Sequence, residues 1–259
     1  MRKVLSIAGS DSSGGAGIQA DIKTIMAHKM YAMTVITVLT AQNTTGVNGI
    51  FGVDRAFVEN QLDCVFSDIF PDAVKIGMLY RTDIIDGIAE KLVAYKAGNI
   101  VVDPVMVATS GGKLSCDDSV AALRKKLFPI ADIITPNIPE AECLSGLAIL
   151  SQADMVSAAK IIARECKGSV LIKGGHLAEC ADDFLLAGAE EIWFPGKRID
   201  NPNTHGTGCT LSSAIACNLA AGQDVKQAVK NAKDYVAGAL AAQLDLGKGS
   251  GPLDHGYKI

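Results

Sequence analysis

Aromatic residues are scarce, 5% of 259 residues, while glycine is frequent at 26. That balance fits many tight βα turns better than a β-sandwich. Basic charge is not in excess: 24 Lys and Arg against 28 Asp and Glu leave a formal net charge of -4. A nucleic-acid surface is therefore not expected, and the local cluster Arg124-Lys125-Lys126 falls on a helical pattern and reads as a solvated face. No apolar run reaches membrane-spanning length, so no membrane partner is expected. The stretch Val4–Ala8 after Met1-Arg2-Lys3 is too short for the core of a secretory leader. Seven cysteines, at 64, 116, 143, 166, 180, 209 and 217, include no C-x-x-C pair. Their odd number and scatter read as reduced thiols of a cytoplasmic protein. Neither an H-E-x-x-H stretch nor a Cys/His cluster marks a zinc site. Internal repeats, low-complexity segments and breaks in composition are also lacking, so residues 1–259 read as one large domain.

What is present is an alternation. Strands are expected at Lys3–Ala8, Ala32–Ala41, Ala73–Gly77, Asn99–Asp103, Ala131–Thr135 and Ser169–Lys173, where β-branched and apolar residues concentrate. Helices are expected at Ile18–Lys29, Arg55–Ile69, Thr82–Lys96, Asp117–Phe128, Ile138–Ser145, Gln152–Glu165, Thr207–Ala221 and Val225–Gln243, with Thr82 or Asp83 capping the third. Asp182–Ala187 and Glu190–Phe194 flank Gly188 as a hairpin. Strands alternating with helices imply a mostly parallel sheet covered on both faces, with an antiparallel edge. Ligands of such sheets bind beyond the carboxyl ends of the strands. The chemically informative residues all follow an expected strand.

The first such segment is Gly9–Gly17. It lacks the Lys-Ser/Thr of a Walker A loop. A dinucleotide fingerprint is disfavoured because no Asp or Glu lies between Asp21 and Asp54 to hold a ribose. A tight turn that brings backbone close to a flat substrate remains, with Asp21 facing the site; a plain βα turn is the bland reading. Near the other end, Asn203–Thr210 precedes a long apolar helix. Gly206 and Gly208 leave backbone N–H groups open at a positive helix end, which makes an anion site for a transferring phosphoryl group. Cys209 falls in the first turn, where a thiol pKa drops toward neutrality and a thiolate could take a proton from a hydroxyl. A buried, inert cysteine on a glycine-capped helix is the alternative. Asn137 and Glu140 open a helix three residues apart and share a face, so their oxygens suit a hydrated Mg²⁺ carrying nucleotide phosphates. Taken alone, the pair is better read as a helix start with an early Glu. Asp103 ends another strand and could help hold the same metal. Lys173-Gly174-Gly175-His176 offers a cation beside free backbone, and Ala108–Lys113 reads as a lid. His176 and His205 read as hydrogen-bonded structural histidines.

Taken in order, several segments resemble one family across nearly the whole chain. They are Ile7–Thr24, Thr40–Thr44, Lys75–Leu79, Asp103–Met106, Thr135–Asn137, Lys173–His176 and Asn203–Thr210. The family is the hydroxymethylpyrimidine/phosphomethylpyrimidine kinases, within the ribokinase superfamily. The resemblance implies a ribokinase-like three-layer α/β sandwich. It also implies two successive ATP-dependent phosphorylations: 4-amino-5-hydroxymethyl-2-methylpyrimidine to its monophosphate, then to its diphosphate. Gln42 falls on the family's pyrimidine-binding glutamine, and Gly9, Ala16, Asp21, Met78 and Val105 on positions lining that pocket. Cys209 replaces the Asp of most ribokinase-like enzymes, with Gly206 and Gly208 beside it. Asn137 and Glu140 match the superfamily's Asn-x-x-Glu around Mg²⁺ and the nucleotide, Lys173 and Thr207 fall on the nucleotide side, and Lys233 matches a lysine near the phosphates. Thr40 stands where some relatives carry an aliphatic residue. Physically, a glutamine amide offers the donor–acceptor pair that complements an aminopyrimidine edge, as when Gln reads adenine. Pyridoxal kinases of this shape carry an apolar residue in place of Gln42, which makes pyridoxal kinase the nearest rival activity. A non-catalytic nucleotide sensor and an NAD dehydrogenase are the readings from other classes. A homodimer is expected because relatives often form one.

Overall fold

The computed structural model describes residues 1–106, 117–175 and 181–258. The expected lid Ala108–Lys113 and the residues His176, Cys116 and Cys180 lie outside them. Among the described residues a nine-stranded sheet forms the middle layer, in the order β3-β2-β1-β4-β5-β6-β7-β8-β9. Its strands are β1 (Lys3–Asp11), β2 (Tyr31–Asn43), β3 (Gly46–Gly52), β4 (Ala73–Ile76), β5 (Ile100–Val102), β6 (Ile133–Ile134), β7 (Ser169–Ile172), β8 (Asp183–Ala187) and β9 (Glu190–Phe194). The strands from β2 to β7 are parallel, while β3 and the β8–β9 hairpin run antiparallel at the two edges.

Helices cover both faces: α1 (Gly17–Ala27), α2 (Arg55–Asp68), α3 (Thr82–Ala94), α4 (Asp117–Ala122), α5 (Ile138–Ser145), α6 (Gln152–Ile162), α7 (Thr207–Ala220) and α8 (Val225–Ala241). The strands alternate between two cores, as a period of two requires. Leu5, Ile7, Val74, Ile76 and Val102 join the core beneath α2, α3, α5 and α6. Val4, Ala73, Val101, Ile133 and Leu171 join the core beneath α7 and α8. This is the three-layer sandwich that the resemblance implies.

Three differences from the sequence reading have physical causes. The edge strand β3 was not expected, because Gly46, Gly49 and Gly52 dilute its strand signal. Neither Thr82 nor Asp83 caps α3: Arg81 is the N-cap, and its guanidinium pairs with Asp83. The helix expected over Asp117–Phe128 changes pitch, with a π turn at Leu123–Leu127 and then a 3₁₀ turn at Phe128–Ile130 around Pro129. In the basic cluster, Arg124 pairs with Glu165 and Lys126 with Asp86.

Strand order reverses between β1 and β4, with β2 on one side and β5 on the other. A crevice at such a switch point is where ligands of open α/β sheets bind.

Candidate active site

A cleft of about 2040 Å³ opens over the carboxyl ends of the parallel strands. Gly9, Ala16, Gln42, Met78 and Val105 line one part of it; Asn137, Glu140, Lys173, Thr207 and Lys233 line another. Gly206, Gly208 and Cys209 also border the cleft.

Two strand irregularities shape the Gln42 end of the cleft. Strands β1 and β2 run further than expected, through Asp11 and Asn43. Their pairing slips between Ala8 and Ser10, so Gly9 lies opposite a bulge at Thr37 and Val38 of β2. A Cβ on Gly9 would come within 2.7 Å of Val38 Cγ1 and 3.1 Å of Met78 Cε. Glycine therefore keeps the pocket open. A second slip, between Ala41 and Gln42, leaves Asn48 of β3 as the extra residue across from Gln42. Ser12 latches this strand end, its hydroxyl donating to Gln42 O at 2.8 Å and accepting from Gln42 N at 2.9 Å. Gln42 Oε1 lies 3.1 Å from Thr40 Oγ1, and Gln42 Nε2 lies 3.3 Å from His205 Nε2.

Asp21 does not face this pocket, contrary to expectation. Its side chain is fully buried and pairs with the equally buried Lys75 at 2.8 Å. Ser6 and Ser213 also donate to it, at 2.5 and 2.7 Å. Burial pulls the Lys75 ammonium down, but the Asp21 charge overcomes it and holds its pKa above the ordinary lysine value.

The start of α7 is built to approach other backbone. Gly206, its N-cap, has φ 82°, a left-handed conformation that glycine adopts without strain. A Cβ there would also lie 1.9 Å from Gly15 O. The first-turn N–H groups of a helix have no intrahelical acceptor; among the described residues nothing accepts from Gly208 or Cys209 N–H, whereas Thr207 N–H is taken by Thr204 O at 3.2 Å. Thr210 to Ala220 of the same helix are buried without interruption, which fixes its N-terminus rigidly.

Cys209 borders the cleft, but its thiol departs from the expectation. Burial pushes its pKa up to about 11, and the Asp21 and Asp103 charges add to this against Lys75 and the Gly17 N–H. The helix end alone would lower it; removal from water wins. With its pKa at about 11, the Cys209 thiol keeps its proton at neutral pH.

At the other end, Asn137 and Glu140 form a reciprocal capping box on α5, with bonds of 2.8 and 2.9 Å. Such a cap contributes about 1 kcal/mol. Glu140 is nevertheless strained electrostatically. Burial raises its pKa to about 7, with Lys173 pulling down and Asp103 pushing up. Lys173 lies beside Asn137, its backbone N–H donating to Pro136 O at 2.9 Å. Its ammonium pairs with Asp103 at 2.9 Å and would lie 3.4 Å from a Cβ on Gly208. Thr135 and Ser212 also donate to Asp103, at 3.1 and 3.3 Å. Asp103 is therefore first the counter-ion of Lys173. Lys233 borders the cleft, yet its ammonium donates to Asp183, Ala181 O and Phe194 O at 2.8, 3.0 and 3.0 Å. All three protons are engaged in tying β8 to β9, which does not fit a lysine reserved for phosphates. Thr207 Oγ1 donates to Thr204 O at 2.7 Å.

Sequence reasoning left three groups without a role. One is Lys75, a lone cation within the apolar strand Ala73–Ile76, a pattern that itself asks for a buried carboxylate. Another is Asp11, the hydrogen-bond partner of His205. The third is the loop Pro195–Pro202, which carries Arg198 and Ile199 to the cleft and has no motif to announce it.

Residues 11–254 match the phosphomethylpyrimidine kinase family. The chain is 45% identical to a hydroxymethylpyrimidine/phosphomethylpyrimidine kinase of Streptomyces coelicolor, over 99% of this chain and 95% of that one. It is 50% identical to a thiamine biosynthesis bifunctional protein of Geobacter sulfurreducens, over 97% of this chain; it spans about half of that longer protein, 52%. Among solved structures, a Bacillus subtilis pyridoxal kinase in complex with ADP superposes with a TM-score of 0.91 at 39% identity, covering 98% of this chain and 97% of that one.

Proposed function

The chain belongs to the phosphomethylpyrimidine kinase family, and on that footing we propose that it transfers the γ-phosphoryl group of ATP to a hydroxymethylpyrimidine and then to the resulting monophosphate. The observation that carries the reading is Gln42, which lines the same cleft as the N-terminus of α7. The ring would lie in the slot left by Gly9 and Ala16, against Met78 and Val105, with its hydroxymethyl group toward Cys209. The Gly208 and Cys209 N–H groups and Lys173 would stabilise charge on the transferring phosphoryl group, where positioning and electrostatics contribute most.

The residues present fit Mg²⁺ delivered with the nucleotide. Glu140, a buried carboxylate raised to about 7 beside Asp103, is a site that a cation would relieve. Glu140 and Asn137 would hold the hydrated ion, with Asp103 behind Lys173. When bound, the ion would neutralise the nucleotide phosphates. We place Thr207 and Lys173 on the nucleotide side and Lys233 in a structural tie beside it.

A single kinase unit over residues 1–259, acting in the cytoplasm as a homodimer, completes the proposal. Support for self-association is the β3 edge, where Phe51 is 70% exposed beside Leu39 and Ile50. Among the described residues no helix is long and apolar enough to cross a membrane. Pyridoxal phosphorylation is the second reading, favoured by the likeness to the B. subtilis pyridoxal kinase. A competition assay with equimolar hydroxymethylpyrimidine and pyridoxal under limiting ATP separates the two. Predominant pyrimidine phosphate supports the first reading; predominant pyridoxal phosphate overturns it.

A further inference from the structure

The Asp11 carboxylate ends β1 inside a ring of donors. It accepts from Ser13 N and Oγ at 2.9 and 2.7 Å, from Gly15 N at 3.1 Å and from Ala16 N at 2.8 Å. His205 Nε2 lies 2.8 Å from its Oδ2. A carboxylate served this way stays ionised. Burial pushes its pKa up, but the bonds from His205 and Ser13 bring it to about 2. Facing it at that distance, Nε2 must carry a proton and donate.

The end of the Gln42 amide lies 3.3 Å from the same nitrogen. Two orientations of the amide, related by a half-turn about its last bond, fill the same space. With the NH₂ toward His205, two donors would meet head to head. With the carbonyl toward His205, it shares the Nε2–H that Asp11 also accepts. The opposite end gives the same answer independently. Thr40 Oγ1 has one proton, and Ser10 O takes it at 2.8 Å. Gln42 Oε1 is the atom turned to that hydroxyl, at 3.1 Å; the half-turned amide would present its NH₂ there instead, a donor to the oxygen's lone pairs.

We propose that His205, clamped by Asp11, is a positioning residue for substrate choice. It locks the Gln42 amide with its carbonyl toward His205 and its NH₂ toward Thr40. The site then accepts a ring whose exocyclic amine lies on the His205 side and whose ring-nitrogen acceptor lies on the Thr40 side. The inference rests on reading the ring as an aminopyrimidine. His205 itself is held from behind, its N–H donating to Gly251 O at 3.1 Å.

Two measurements test it. The first compares the 4-amino-5-hydroxymethyl-2-methylpyrimidine with its analogue lacking the amine, in wild type, His205→Met and His205→Gln. His205→Met removes the donor at similar length; His205→Gln returns an N–H near the place of Nε2. Wild type should prefer the amine-bearing ring, and His205→Met should shrink that preference about tenfold, mainly through KM, as expected for one lost hydrogen bond. His205→Gln should restore most of it. Equal losses on both rings in both variants would overturn the positioning role. The second needs no variant: nuclear Overhauser contacts from the Gln42 side-chain N–H₂ of the wild-type protein. Contacts to the Thr40 side chain support the locked orientation, and contacts to the His205 ring overturn it. A wild type indifferent to the amine would instead sink the aminopyrimidine reading, while the amide contacts would still decide its orientation.

Discussion

Two lysine–aspartate pairs support the beginning of α7, with nearly the same length and opposite surroundings. Lys75 and Asp21 meet at 2.8 Å with neither side chain exposed. Lys173 and Asp103 meet at 2.9 Å, but Lys173 keeps 15% of its side-chain surface and borders the cleft. A sealed pair can serve only the framework and the field felt by its neighbours. An open one can exchange its partner for a ligand. The difference teaches that charge chemistry alone does not identify a site residue; access to the cleft does.

The largest expected effect comes from breaking the sealed pair. Lys75→Met removes the counter-ion of the buried Asp21 carboxylate and should cost about 3–5 kcal/mol of stability. Lys75→Met with Asp21→Leu should recover much of that, as denaturant titration would reveal. If Lys75→Met unfolds at the wild-type midpoint, the sealed pair is not structural. Lys173→Met should invert the pattern. Its stability loss should be the smaller of the two, while kcat falls on the order of 10²-fold, the scale of one lost electrostatic donor in a transition state. Lys173→Met with unchanged kcat and a stability loss matching that of Lys75→Met would erase the distinction.

Between the pairs sits Cys209, and two experiments sharpen its place. Alkylation by iodoacetamide should rise about tenfold per pH unit from pH 7 and level off only near pH 11, as thiolate forms. A plateau near pH 7 would mean a thiolate ready to act as base. Cys209→Ala should accordingly slow transfer to the alcohol and to the monophosphate about equally, by less than the 10²–10⁴-fold typical of general-base loss. A selective loss on the alcohol, read by single-turnover transfer, would restore the base role. The second nucleophile is a phosphate oxygen already anionic near neutral pH, so it needs no base.

Gln42→Met should weaken pyrimidine turnover about tenfold and pyridoxal turnover less, by removing a polar partner worth about 1–3 kcal/mol. The smallest effect concerns Glu140. Its proton, held to about pH 7, competes with a cation, so apparent Mg²⁺ affinity should rise as pH passes from 6 to 8. Glu140→Gln should abolish that rise and increase the Mg²⁺ needed for half-maximal rate; an identical titration would remove Glu140 from the metal.

Much of this was legible in the sequence. The βα alternation gave the layers, and residues after strand ends gave the cleft. Gly206 and Gly208 before an apolar run marked the start of α7, and Asn137 and Glu140 marked a helix start. Asp21 was misread although its spacing held the answer: Ile18 and Ile25, three before and four after it, are buried on the same face of α1. The state of Cys209 was not legible, because the helix end favours the thiolate locally while burial is a property of the whole fold. Nor was the Asp11–His205 contact, which joins residues 194 apart in the chain. Lys233 matched a position near phosphates, but its three acceptors, on β8, on β9 and just before β8, are brought together by no local pattern.

The central claim is that one cleft phosphorylates an alcohol and then the phosphate it has made. The direct measurement is ³¹P NMR of the purified chain with ATP and the hydroxymethylpyrimidine monophosphate as sole acceptor. The account predicts a diphosphate doublet growing with ADP, and the same product after a lag when the alcohol is supplied instead. ATP turnover that stops at the monophosphate, or that proceeds only with pyridoxal, would contradict it.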